Sequence, residues 1–236
     1  ELSNFRIVQK NNGDYHPTIG GIVLFGHKDL VEYDFASVRI TKFNGTTLSD
    51  ISESVEFSIP LINKINDMYQ WIHDRLIKES ILSGVKRVQK NRVPDFAIRE
   101  ALINAIVHRD YNNKHSTIKV NIFDDRIEFI NPGILYGNID IEDLGTGVSE
   151  CRNRNIVRIF RKLNLMEELG TGIARIKQLF TDANLQSPGF YEQGNYFKVI
   201  LPQIKKENDV KGEIYQLISK NDKLSTSEIA EKLGFH

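Results

Sequence analysis

The stretch Pro94 to Tyr111, PDFAIREALINAIVHRDY, admits few folds. Proline at a first helical turn lacks only a donor that the turn does not use, and Asp95 beside it complements the positive end of a helix, so a helix is expected to begin here. Ile98, Leu102, Ala105 and Ile106 then fall on one side, and Phe96, Ile103 and Val107 on another. Glu100, Asn104 and His108, spaced four apart, share the remaining wedge beside the small Ala97 and Ala101. A helix apolar over so much of its circumference belongs inside a core. A carboxylate, an amide and an imidazole placed there need water, a partner network or a ligand, because a buried charge without one is strongly unfavourable. On the helix alone, a satisfied core network and a ligand site stay equally open.

Composition narrows the class. The 236 residues suit one large or two small domains, and 40% hydrophobic with 26% charged residues is ordinary for a globular protein able to bury a core. Lys plus Arg equals Asp plus Glu at 31 each, so no global positive field draws the chain to nucleic acid, and such a contact would need a local patch. The single Cys151 excludes a disulfide framework and a thiolate metal cluster and fits a reducing cytoplasm. No apolar run approaches a membrane span, and the N-terminus lacks the regions of a signal peptide. The missing initiator Met and the end at His236 are expected of a piece cut from a longer chain.

Along the chain, residues 1–16 read as a polar tail, and the apolar run IVLFG closed by Gly26 as a buried strand. Strands are expected at 37–43, before the turn-like Asn44-Gly45, and at 55–59, then a helix over 60–79. The basic run 86–92 reads first as a solvated face, with a phosphate or DNA contact as the lesser alternative. Two alternating strands, 116–123 and 126–130, meet around Asp124-Asp125 and end at Asn131-Pro132-Gly133. Residues 134–154 form a glycine-bearing loop long enough to be a lid, and it carries Arg152, whose planar fork suits a phosphate or an acidic neighbour. A helix follows over 156–166, and Gly170-Thr171-Gly172 opens another, where bare backbone amides form a natural phosphate cradle. After a turn at 187–189 a last strand occupies 194–202, and 203–209 reads as a linker. Beyond it, an amphipathic segment and the Ser225/Glu228 capping box are similar to the first part of a winged helix-turn-helix over 210–236. Its recognition helix would start past His236, so this chain is not expected to read DNA sequence by that element.

REALINAIVHRDY, 99–111, resembles the N box of the GHKL ATPase superfamily, which includes gyrase B, MutL and sensor histidine kinases. It is closer still to a branch found in bacterial transcriptional regulators often labelled RecG-like ATP-dependent DNA helicases. That branch has the run REALxNAxxHRDY, a strand pair ending in NPG, an RN motif and a GxGI helix, and all occur here in order over roughly 17–202. The resemblance implies an α/β (α+β) fold: a two-layer sandwich of GHKL type over 93–202, with an α/β segment, 17–92, packed on it. It also implies a preceding Schlafen/AlbA-type domain, of which residues 1–16 would be the end.

In function, the resemblance implies ATP and Mg as cofactors. Asn104 would offer its side-chain oxygen to Mg, Glu100 would orient or deprotonate the attacking water, and His108 belongs to the branch's HRD signature. Asn131 and Gly133 would meet the base, Gly170, Thr171 and Gly172 the phosphates, and Arg152 and Asn153 form the RN motif of the lid. DNA would be bound through domains outside this chain, a homodimer is an expected partner, and a membrane is not. Three positions depart from the pattern: Asn131 replaces an aspartate, Val107 stands where gyrase-like proteins carry one, and Arg154 replaces a usual proline. They favour an alternative, a degenerate non-catalytic fold that mediates dimerisation or interaction between DNA-binding domains. No GxxxxGK[ST] occurs, so a helicase motor is not expected.

Overall fold

A computed structural model describes residues 5–83, 86–166 and 170–204, with the side chains of 79–90 outside the description. Much of the segment expected as a tail, 1–16, pairs instead as a hairpin of β1 (Val8–Asn11) and β2 (Asp14–Pro17) around the tight Asn12-Gly13 turn. The next run is a helix, α1 (Ile19–Phe25), where a strand was expected. The Thr18 hydroxyl accepts from the Gly21 amide at 3.1 Å and caps its start, which tips an apolar run that would suit a buried strand equally well. A 3-10 segment, 31–36, leads to β3 (Val38–Phe43) and β4 (Ile51–Phe57).

The helix expected over 60–79 is shorter: a 3-10 turn and then α2 (Ile65–Asp74). Its expected end and the basic run instead pair as β5 (Lys78–Ser83) and β6 (Lys86–Asn91). The central helix is α3 (Asp95–His108), with Pro94 as its N-cap and nine of its fourteen residues buried. There follow β7 (Ile118–Ile122), β8 (Arg126–Pro132), α4 (Arg154–Lys162), α5 (Gly172–Asp182), β9 (Gly189–Gln193) and β10 (Tyr196–Pro202). Strand β9, not expected from the sequence, begins at Gly189 where the expected turn ends and forms an edge paired to β10.

Six strands form one mixed sheet in the order β4-β3-β7-β8-β10-β9, in which only β3 and β7 run parallel. The fold is therefore α+β, and the segment before α3 contributes two strands to the same sheet as the segment after it. Helix α3 lies against β8 and β10 and touches α2 and α5, so its apolar sides meet protein in several directions. Leu102, Ile103 and Ile106 on it are fully buried, each worth roughly 1.5–3 kcal/mol of transfer free energy.

At the far end of the sheet, Gln203 is buried rather than part of a solvated linker. Its Nε2 donates to the Phe123 carbonyl at 2.7 Å and its Oε1 accepts from the Ile77 amide at 3.1 Å. Residues 205–209 of that linker and the expected winged-helix start lie outside the described residues. No helix among the described residues is long and apolar enough to cross a membrane.

Candidate functional site

The wedge on α3 opens into a pocket. Glu100, Asn104 and His108 form one wall with Ala101 and Ala105 between them; Phe129, Asn131, Phe197 and Val199 of β8 and β10 form the floor. Loop 134–151 and the start of α5, with Gly170, Thr171 and Gly172, complete it. Counted out to its open mouth, the space is about 1350 Å³. Seven of the sequence-predicted positions besides Glu100, namely Asn104, His108, Asn131, Gly133 and Gly170 to Gly172, thus line one cavity, although β7, β8, the loop and α4 separate the α3 residues from Gly170 to Gly172 in sequence.

Glu100 is 5% exposed, and its Oε1 accepts from Asn104 Nδ2 at 3.1 Å. Asn104 turns its amide nitrogen to the carboxylate, which leaves its oxygen as the end suited to a hydrated cation. On the other side the carboxylate sits directly over Gly172, where any Cβ would collide with it. Gly172 is the first residue of α5, so a negative group lies at the positive end of that helix, a favourable placement. The phosphate-cradle position of the glycine run is thus shared with Glu100.

Asn131 lies on the floor, 5% exposed, with Phe197 opposite it on β10. Its Oδ1 is buried without a hydrogen-bond partner among the described residues. A buried acceptor left unmade carries a penalty of roughly 1–3 kcal/mol, so it marks either a tolerated flaw or a ligand contact. Gly133 two residues on has φ +108°, and a Cβ there would come 2.9 Å from Asp110 Cβ, so the chain can pass this point only as glycine. His108 is mostly enclosed. Burial pushes its imidazole down to about 4, and the Arg152 guanidinium adds to that, so the ring is neutral near pH 7 and offers one donor and one acceptor.

Arg152 and Asn153 sit beside the pocket rather than in its lining. Arg152 donates to the Ile134 carbonyl at 2.9 Å and lies 3.7 Å from the Asp110 carboxylate, lining a shallower polar hollow with Asn112, Asn113 and Asn195. Asn153 Nδ2 donates to the carbonyls of Val107 and Arg109 at 2.8 and 2.7 Å and so caps the C-terminal end of α3. Arg109 is wholly buried, its guanidinium donating to the carbonyls of Phe35, Asp110, Asn113 and Ser116.

Sequence reasoning missed the pocket's cation. Arg161 is the one Lys or Arg among the described lining residues; it lies one helical turn after Val157, also a lining residue, and that spacing was the signal available. Tyr136, Glu150 and Cys151 of the loop also line the cavity, and burial pushes the Cys151 thiol up, which keeps it protonated. The loop is tied to α5 by Lys177, whose Nζ donates to the Leu144 carbonyl at 2.6 Å.

Comparison with known proteins agrees in part with this geometry. Residues 115–201 match the family described as "Putative ATP-dependent DNA helicase recG C-terminal", an ATPase-like domain. The match spans β7 to β10 with the loop, α4 and α5, and begins after α3, so Glu100, Asn104 and His108 lie outside it. No curated protein matches the chain. The backbone is similar to that of the DIP2311 protein from Corynebacterium diphtheriae in its crystal structure, with a TM-score of 0.68 and 16% identity. That likeness covers 96% of this chain and 49% of the other, so the chain spans about half the length of that neighbour, and at this identity the fold alone is shared.

Proposed function

We propose that the pocket binds a magnesium nucleoside triphosphate, ATP in the first instance, as the ligand-sensing part of a bacterial transcriptional regulator whose DNA contacts lie in other domains. The observation that carries this reading is the cavity itself, in which Glu100, Asn104, His108 and Asn131 converge between largely apolar side chains beside the glycine-opened start of α5. A flat base suits such a slot, with the Asn131 side chain on its floor. The ATPase-like family match over 115–201 supports the same class of ligand. The regulatory role is inferred from the domains that accompany such folds.

In this reading the oxygen of Asn104, with the Glu100 carboxylate beside it, would hold the metal, which would supply positive charge there. Without that charge the carboxylate over Gly172 opposes any phosphate brought to the same helix start. Arg161 provides the lining's own positive group, and the neutral His108 a hydrogen bond. Hydrolysis requires Glu100 to reach a water.

A second reading is favoured by the same carboxylate. Glu100 already has Asn104 and the start of α5 as neighbours, which suits a fold that has given up catalysis and serves as an interaction or dimerisation module. Titration of the chain with ATP, with and without Mg, separates the two. The nucleotide reading predicts binding that weakens by about tenfold or more when Mg is chelated, and loss of that dependence in Asn104→Ala. Absence of binding at millimolar ATP would leave only the module. Binding with a turnover indifferent to Glu100→Gln would remove the enzyme and keep the sensor.

A further inference from the structure

We propose that the two-stranded ribbon of β5 and β6 is a contact for the phosphate backbone of duplex DNA, made within this chain and without regard to base sequence. It is independent of the nucleotide reading and adds to the contacts proposed for other domains.

The ribbon carries Lys78, Lys86, Arg87 and Lys90 against one acid, Glu79, in a chain whose charges balance overall. The register sets Glu79 across from Lys90, whereas Lys78, Lys86 and Arg87 stand across from Asn91, Ser83 and Leu82, none of them acidic. Successive residues of a strand alternate between faces, so Lys86 and Lys90 share one face, about 13 Å apart along the strand, and Arg87 belongs to the other. Lys78, at the base, is exposed.

The ribbon is a sheet of its own: among the described residues β5 and β6 pair with each other and with no strand of the six-stranded sheet. Its root is fixed to the body. Asn91 Nδ2 donates to the His73 carbonyl at 3.2 Å, the Arg92 amide to the Ile77 carbonyl at 3.0 Å and Arg92 Nη1 to the Gln203 carbonyl at 3.4 Å. A two-stranded ribbon with cations on both faces has the shape that enters a DNA major groove, between two phosphate backbones.

Composition selects among polyanions. Residues 78–91 contain no Phe, Tyr or Trp. Single strands are held by bases stacked on aromatic rings, and membrane interfaces by aromatic anchors, so the ribbon suits neither. The deep, narrow major groove of duplex RNA does not admit it. The remaining chemistry is cation against DNA phosphate, with counterion release and a steep dependence on salt.

The test is fluorescence anisotropy of a labelled duplex of arbitrary sequence and about 20 base pairs, titrated with the full chain at about 50 and about 200 mM salt without nucleotide. Wild type is expected to bind at the lower salt with a Kd of roughly 1–100 μM and to weaken about tenfold or more at the higher. Lys86→Gln, Arg87→Gln and Lys90→Gln combined should cost about tenfold or more at the lower salt and reduce the salt slope by about 2–3. Lys28→Gln, Lys119→Gln and Lys162→Gln combined remove the same charge from exposed positions elsewhere and should cost under about threefold. No binding at the lower salt, an equal loss in the two combined variants, or an unchanged slope in a ribbon variant that keeps the wild-type circular dichroism would overturn the proposal. Tighter binding of a single strand, or of vesicles rich in phosphatidylserine, would overturn it as well. If the combined ribbon variant fails to fold, Lys86→Gln alone decides, with a drop in slope of about 1 expected and an unchanged slope contradicting the contact.

Discussion

Two buried polar groups lie within reach of the end of α3, and they differ in one respect. Arg109 is a cation wholly enclosed between the rings of Phe35 and Tyr111, at 5.2 and 5.0 Å from their centroids, with carbonyl oxygens on both terminal nitrogens and only Nε left over. Asn131 is a neutral amide nearly as buried, on the lining of a cavity, yet its oxygen has no hydrogen-bond partner among the described residues. The first arrangement spends its hydrogen bonds on closing the chain: it ties the 3-10 segment before β3 to the exit of α3 and the loop before β7. The second keeps its hydrogen bond in reserve. A satisfied buried group argues for architecture, and an unsatisfied one on a cavity wall argues for a ligand.

The contrast is sharpest in a deletion. Arg109→Met should destabilise the chain by about 3–5 kcal/mol, because it strands several buried carbonyls as well as removing the cation. Urea unfolding followed by circular dichroism measures it, and a loss under about 1 kcal/mol would show that this knot is not structural.

A smaller effect comes from His108, on the pocket side of the same helix end. Its folded value is depressed from 6.5 to about 4, so the folded state resists protonation. Below 6.5 the unfolded chain takes up a proton that the folded chain does not, and the contribution to stability is lost as the pH falls toward 4. The loss should reach about 3 kcal/mol. Because carboxylates titrate nearby, the quantity to read is the difference between wild type and His108→Gln in unfolding free energy across pH 7 to pH 4. A difference that stays constant over that range would contradict the enclosed, neutral ring.

The smallest effect should belong to Asn131. Asn131→Leu removes an acceptor that has no partner, so stability should stay within about 1 kcal/mol of wild type or rise. Nucleotide binding should fall in the same variant. A large destabilisation would move Asn131 into the same class as Arg109 and erase the comparison.

The frame around these two groups was legible in the sequence, but the contrast between them was not. The helix was legible because its apolar residues go round nearly the whole circumference and leave one polar wedge, and glycine followed by helix at 170–172 was legible because backbone amides there need bare residues. What the sequence left hidden depended on tertiary contacts. Asn153 belongs to a motif, but only packing shows that its amide caps the end of α3. The run Ile22–Leu24 suits a strand or a buried helix alike, and Thr18 settles it through a bond to Gly21. Strand β9 carries Gly189 and an exposed Tyr191, and becomes a strand by pairing along the edge of β10. The seat of Glu100 over Gly172 joins residues far apart in sequence, and no local pattern announces it.

The most direct test of the account is a crystal structure of the chain with a non-hydrolysable ATP analogue and Mg. The account predicts the base in the slot between α3 and β8, its edge within hydrogen-bonding distance of the Asn131 amide, and the phosphates toward Asn104 and the start of α5. A base bound elsewhere, or a slot still unfilled at saturating analogue while the chain is folded, would contradict it.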